Sequence, residues 1–236
     1  SPLPFAVAAN SKSGIQSHRQ LGYRPRKWIF LPNGFDLSLY QPNDVDRTRV
    51  RAEWNASEDV ITIGVVARLD PQKDHANFLQ AATLANARDG RLRFILIGKG
   101  TDTINIPAPL IGKALALGER EDVPSLLRGL DIAVLSSASG EGFPNALGEA
   151  MASGVPVIST DVGDAADLVR NGGGLVVPPR SSAALAEAML AMASESASDR
   201  RRRGAKAREK IACEYSMEAI SQKYQKALRN ECVDEI

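Results

Sequence analysis

Histidine and cysteine are scarce in this chain, with two of each in 236 residues. Cys213 and Cys232 form no CxxC pair, which leaves metal and redox readings weak and fits a reducing compartment. No G-x-S-x-G elbow is present, which argues against a serine-nucleophile hydrolase. No Walker sequence is present, which argues against a P-loop NTPase. The net charge is only +1, so no strong field marks nucleic acid as a partner. No apolar run is long enough to cross a bilayer and no signal-peptide pattern is visible, so a cytoplasmic location is expected. Asn55-Ala56-Ser57 matches a glycosylation sequon, a motif short enough to recur by chance.

What is present is apolar material for a core, 44% of the chain. The length suits one large domain, or one domain plus a fragment. The opening Ser1-Pro2-Leu3-Pro4, without Met, reads as the middle of something longer. Residues 1–40 do not read as a domain: a short strand at 5–9, a short helix at 15–21, a strand at 28–31, then a linker at 36–43 containing Pro42. From residue 60 an alternation begins. Short apolar, β-branched runs at 60–66, 92–97, 131–135, 155–159 and 175–177 are separated by helical stretches at 75–87, 123–129, 144–152, 164–169 and 181–193. Unalternated apolar strands between amphipathic helices predict a doubly wound, Rossmann-like α/β domain with a parallel sheet covered on both faces. Ligands in such folds bind at the carboxyl ends of the strands. The tail predicts two helices over 199–230, parted near Tyr215-Ser216, with Met217, Ile220, Tyr224 and Leu228 as a packing stripe. Arg200 to Arg203, Lys206, Arg208 and Lys210 make a basic run that reads as a solvated helix face or as contact with an anionic membrane surface.

Three stretches carry chemistry. Arg68 and Lys73, in Val66-Ala67-Arg68-Leu69-Asp70-Pro71-Gln72-Lys73-Asp74-His75, follow a strand and precede a helix. Two such cations converge readily on a diphosphate, each charge-assisted hydrogen bond contributing about 1.5–3 kcal/mol. The alternative is a solvated loop. His75 reads as a helix-start residue, and His18 has no visible partner. Gly98-Lys99-Gly100 allows close backbone approach after a strand, but Thr103 stands where a dinucleotide fingerprint needs its third glycine. The third stretch runs from Ser137 through Gly140-Glu141-Gly142-Phe143-Pro144-Asn145-Ala146 to Glu149 and Gly154. Here a glycine-rich turn feeds a helix with Pro144 at its first position and Gly154 closing it. Its free amides suit an anion, and Glu141 and Glu149 suit sugar hydroxyls. The bland reading makes Glu141 a helix cap and Glu149 a surface residue.

The order Asn33-Gly34-Phe35-Asp36, Arg68…Lys73, Gly98-Lys99-Gly100, Leu117-Gly118-Glu119-Arg120, Glu141…Glu149 and Asp161-Val162-Gly163-Asp164 resembles the retaining glycosyltransferase family called group 1, or family 4. The likeness is greatest to bacterial members that build surface polysaccharides. It implies the C-terminal half of a two-domain GT-B fold, in which the C-terminal domain binds a nucleotide sugar and the N-terminal domain binds the acceptor. On this resemblance residues 1–40 are a remnant of the acceptor domain and hinge, 41–198 the donor-binding domain, and 199–236 helices packing back toward the N-terminal side. It implies that Arg68 and Lys73 hold the diphosphate and that Glu141 bonds the transferred sugar. The backbone of Gly142, Phe143, Pro144, Asn145 and Ala146 would surround sugar and phosphate, with Glu149 on the ribose. Gly98, Gly118 and Arg120 would lie near the donor. It further implies retention of configuration, a UDP-linked donor, a glycan or lipid-linked acceptor, no cofactor and no metal. The acceptor domain is the missing partner, about 100–200 residues, without which transfer is not expected. Peripheral contact with the inner membrane face is compatible with it.

The family often carries a second glycine and then a Glu after Asp-Val-Gly, and here Asp164 and Asp167 take those places. Asp44-Val45-Asp46 has the letters of a metal-dependent transferase motif, but it sits in the linker beside Pro42 rather than at a central strand end. Two other readings stay open: a nucleotide-sugar epimerase of the same plan, and a non-catalytic sugar-nucleotide-binding module or assembly subunit.

Overall fold

A computed structural model describes residues 6–229. The ends of the predicted first strand (residue 5) and last helix (residue 230), and Cys232, lie outside the described residues. The chain opens with β1 (Ala6–Ala9), α1 (Lys12–Gln20) and β2 (Lys27–Phe30). β1 and β2 pair in parallel, and Ile15, Trp28 and Phe30 form a small core of their own. Next come α2 (Asp44–Glu53), β3 (Ile61–Val66), α3 (His75–Asn86), β4 (Leu92–Ile97), β5 (Ala114–Ala116), α4 (Val123–Arg128) and β6 (Ile132–Leu135). The chain continues with α5 (Asn145–Ala152), β7 (Val157–Thr160), α6 (Ala165–Val169), β8 (Leu175–Val177), α7 (Ser182–Ser194), α8 (Ala197–Tyr215) and α9 (Met217–Leu228).

Six strands form one parallel sheet in the order β5-β4-β3-β6-β7-β8. Successive residues of β4 serve opposite faces: Leu92, Phe94 and Leu96 join one apolar cluster, Ile95 and Ile97 the other. Phe78 of α3 and Met189 of α7 fill the first cluster, while Trp54, Leu127, Leu147 and Ile211 fill the second. Both faces are therefore covered, which is why the strands read as continuous apolar runs.

Two elements were not expected. β5 is only three residues long and half-buried. α2 replaces the supposed linker around Asp44-Val45-Asp46, with Asn43 accepting from the Asp46 amide as its cap. Asp46 accepts from Ser125 Oγ at 3.0 Å and pairs with Arg128, so it serves packing between α2 and α4. Pro144 is the cap residue of α5 rather than its first helical residue, and Gly154, at φ +75°, follows the Ser153 cap.

The linker and the α8–α9 junction run side by side. Phe35 N–H donates to Tyr215 O at 2.8 Å, and Met217 N–H donates to Phe35 O at 3.0 Å. Most of the basic run is engaged within the fold. Arg200 donates to the carbonyls of Ala193 and Glu195, and Arg203 donates to the Glu195 carboxylate and to Gly173 O. Arg208 donates to Leu37, Tyr40 and Ala152 carbonyls, and Lys210 pairs with Glu214. No helix among the described residues is long and apolar enough to cross a membrane.

Candidate functional site

β3 and β6 are neighbours at the centre of the sheet, and the chain leaves them in opposite directions, to β4 and β5 on one side and to β7 and β8 on the other. This is the topological switch point, where open α/β sheets bind ligands above the strand ends. The loops leaving these two strands carry Lys73 and Glu141.

After β3, Asp70 caps a single 3-10 turn (Pro71–Lys73) by accepting from the Gln72 amide at 2.9 Å. Arg68 turns outward and pairs with Asp70 at 3.1 Å, its side chain 61% exposed. Lys73 turns inward: its Nζ donates to Glu141 Oε1 at 2.5 Å, and the Glu141 side chain is only 8% exposed. The two cations therefore face different partners rather than one point. An exposed pair such as Arg68–Asp70 contributes only about 0–1 kcal/mol, so a diphosphate could draw Arg68 away cheaply. His75 is buried at the start of α3, and its Nε2 donates to Arg68 O at 3.1 Å, which pins the strand end. Burial holds its pKa below the ordinary imidazole range, so the ring is neutral and structural.

The loop after β6 is stitched to the first. Ser136 Oγ donates to Lys73 O at 2.8 Å, and Ala138 N–H donates to Gln72 O at 2.8 Å. Ser137 Oγ donates to Glu141 Oε1 at 2.5 Å, so Ser137 and Lys73 both bond the same oxygen of that carboxylate. Glu141 is thus an ion-paired loop residue, not a cap of α5. In fact α5 has no side-chain cap and no acidic residue in its first turn. Every other described helix of eight or more residues is capped by Ser, Asn or Asp. The amides of Asn145, Ala146 and Leu147 thus begin a helix at the switch point with its positive end uncovered. The Phe143 side chain is buried against Phe35 and Tyr215, so only its backbone is available to a ligand. Pro144 is buried too.

Asn145 and Glu149 lie on the open face of α5 and line a cleft of about 700 Å³ with Asn33, Tyr40, Met217 and Tyr224. Asn33 Nδ2 donates to Asn145 Oδ1 at 2.7 Å. Burial pushes the Glu149 carboxyl above its usual range, partly opposed by the Tyr40 hydroxyl that hydrogen-bonds it. Burial and the Glu149 charge push Tyr40 up to about 12. The cleft reaches the start of α5 at Asn145, while Arg68, Lys73 and Glu141 are not among its lining residues.

Gly98 and Gly118 are structural on their backbone sides. Gly98 N–H donates to Gly118 O at 2.8 Å, and at φ +140° a Cβ there would sit 2.3 Å from Ala67 O. Gly118 N–H donates to the buried Thr101 Oγ1 at 3.1 Å. Neither amide is left for a donor. Arg120 is held bidentately by Asp122, at 2.8 and 2.7 Å. Sequence reasoning missed Tyr40, because nothing local pairs it with Glu149, and it did not foresee the α5 cap contrast. No group of three or more metal-ligating side chains occurs among the described residues.

The profile described as "Glycosyl transferases group 1" matches residues 60–195. The chain belongs to that family. Among curated group 1 relatives, putative glycosyltransferase EpsF of Bacillus subtilis is 36% identical over 136 residues, 56% of this chain and 35% of EpsF. The UDP-Gal:alpha-D-GlcNAc-diphosphoundecaprenol alpha-1,3-galactosyltransferase of Escherichia coli is 31% identical over 163 residues, 65% of this chain and 41% of its own length. The chain thus spans well under half of either relative. Anabaena Alr3699/HepE, solved with UDP and glucose, superposes with a TM-score of 0.86 at 24% identity, covering 96% of this chain and 63% of that one. That likeness fixes the fold as the corresponding part of a GT-B glycosyltransferase.

Proposed function

We propose that this chain is the donor-binding part of a retaining glycosyltransferase that moves a sugar from a nucleotide-diphosphate sugar, UDP-linked, to a glycan or lipid-linked acceptor in surface-polysaccharide assembly. The observation that carries this reading is the uncapped start of α5 at the switch point, beside the partly buried Lys73–Glu141 pair. A diphosphate seated there meets helix amides, Lys73 and, after a short swing, Arg68. As the glycosidic bond breaks, negative charge grows on the departing phosphate, and these fixed donors stabilise it without rearrangement. Glu141 Oε2 is then the acceptor for a hydroxyl of the transferred sugar, while Oε1 stays tied to Lys73 and Ser137. Glu149 and Tyr40 offer a polar pair to the ribose. UDP bound to HepE, and the UDP-Gal and diphosphoundecaprenol-linked sugar in the name of the Escherichia coli enzyme, support the donor and acceptor classes.

Calorimetric titration with UDP, GDP and ADP tests the reading. Selective binding of UDP, weakened about 10-fold or more by Lys73→Ala, is expected. Equal, weak binding of all three, unchanged in the variant, would overturn it. In a form able to transfer sugar, Lys73→Ala should lower turnover more than it weakens UDP binding; equal losses would remove the transition-state role.

A further inference from the structure

We propose that Asp164 is a positioning residue for the donor's sugar, acting by welding the start of α1 to the turn that carries Glu141; this rests on the donor-site reading above. Asp164 is buried, with only 7% of the residue exposed. Its Oδ2 accepts from the Lys12 amide at 2.6 Å and its Oδ1 from the Ser13 amide at 2.8 Å. The carboxylate thus sits on the positive end of α1, where negative charge is stabilised. The same residue's own amide donates to Gly142 O at 3.2 Å. One residue therefore holds both α1 and the turn.

The surroundings reinforce the joint. Gly163, at φ +54°, lies so close that a Cβ would fall 1.8 Å from Glu141 O, so the turn rests directly on the backbone before Asp164. Ser13 Oγ donates to Glu141 O at 3.4 Å, and Gly142 packs on Ser11. The turn itself contains Gly140 and Gly142 and has little intrinsic stiffness. Glu141 is anchored at its side chain by Lys73 and Ser137 and at its backbone by the Asp164 joint. A glycine at position 164, as the family resemblance leads one to expect, has no carboxylate and would leave the two α1 amides to water. Lys12 Nζ adds a weaker, exposed contact to Asp167 at 3.4 Å.

The test compares the unaltered chain with Asp164→Ala and Asp164→Asn by amide hydrogen exchange, with nucleotide affinities measured alongside. In Asp164→Ala, exchange should rise about tenfold both at residues 12–14 and at residues 140–143, with β3 and β4 unchanged. Asp164→Asn, which keeps one oxygen acceptor, should fall between the two. The probe is whichever of UDP-glucose, UDP-galactose and GDP-mannose the unaltered chain binds most tightly, referenced to its bare nucleoside diphosphate. Affinity for the nucleotide sugar should fall about fivefold more than affinity for the diphosphate. A rise in exchange confined to residues 12–14 would reduce Asp164 to a local helix cap and overturn the proposal. So would equal losses for nucleotide sugar and diphosphate. If the unaltered chain binds no nucleotide, the donor-site reading fails and takes the sugar-positioning role with it; the exchange data then report the weld alone.

Discussion

At the amino end of β3 and β6, Asp131 accepts from Arg47 at 2.5 Å, Arg51 at 2.8 Å and the Thr62 amide and hydroxyl at 2.9 and 3.0 Å. Arg51 is itself buried, and its remaining donors reach Ser57 and Val60 carbonyls. At the carboxyl end of the same two strands, Arg68 lies outward on an exposed pair, α5 begins without a side-chain cap, and Lys73 and Ser137 both bond Glu141 through Oε1 alone. Both ends are rich in charge, but only the amino end is closed. A saturated network holds a fold together, whereas donors left uncovered at a switch point await a ligand. Charge density alone would not have separated the two.

The largest effect is expected at the amino end. Asp131→Ala strands the buried Arg51 and should cost about 3–5 kcal/mol in denaturant unfolding. Nucleotide affinity measured well below the unfolding midpoint should stay unchanged. Burial by itself raises the Asp131 carboxyl, but Arg47, Arg51 and the Thr62 amide outweigh it and hold the pKa below its usual range. A depressed carboxylate stabilises the fold above its unfolded value, and that contribution is lost as pH falls through the folded value. The unfolding midpoint of the unaltered chain should therefore drop more steeply on acidification than that of Asp131→Asn.

Lys73→Ala comes next, with a loss of about 1.5–3 kcal/mol in nucleotide binding. It also leaves Glu141 without its counter-charge. A double cycle with Glu141→Gln should show coupling between the two sites, and strict additivity would mean the pair is incidental. Arg68→Ala sharpens the contrast from the other side. Stability should move by less than about 0.5 kcal/mol, as expected for an exposed pair, while diphosphate affinity falls measurably.

Glu149→Gln should change stability with the opposite sign. Burial raises the Glu149 carboxyl above its usual range. A carboxyl raised in the fold stabilises it below its unfolded value, and that contribution is lost as pH rises through the folded value, so the charged form is a cost at pH 7. The neutral amide should raise Tm by no more than about 2–4 °C, the shift that about 1 kcal/mol produces in a chain of this size. Nucleotide affinity should fall at the same time. A lower Tm would show that the charge is satisfied in the fold and not held for a ligand.

The sheet was legible because its long strands are apolar on both faces, and five of the six strands were found to within a residue or two. β5 was missed because three half-buried residues carry no period. α2 was missed because Pro42 and a polar, charged segment look like a linker; only Val50 and Arg51 of that helix are buried. The basic run was read only in part: Arg201, Arg202 and Lys206 are exposed as a solvated face requires, but the other members bond within the fold. Whether an arginine faces solvent or caps a carbonyl depends on contacts remote in sequence, as when Arg208 reaches Leu37 and Tyr40. The site was legible in part: Lys73 and Glu141 pair across the two loops, which no local pattern foretold, Arg68 faces Asp70 instead of converging with Lys73, and Gly98 and Gly118 use their amides within the fold, on Gly118 O and Thr101 Oγ1. The motifs marked these positions, but no local signal says which atom of each is left free.

The most direct test of the account follows backbone amide resonances during titration with UDP. Asn145, Ala146 and Leu147 should shift together at the uncapped start of α5, while Asn77 and Ala184, whose amides are already held by Asp74 and Ser181, stay still. Saturable binding that shifts other amides and leaves Asn145 to Leu147 in place would contradict it.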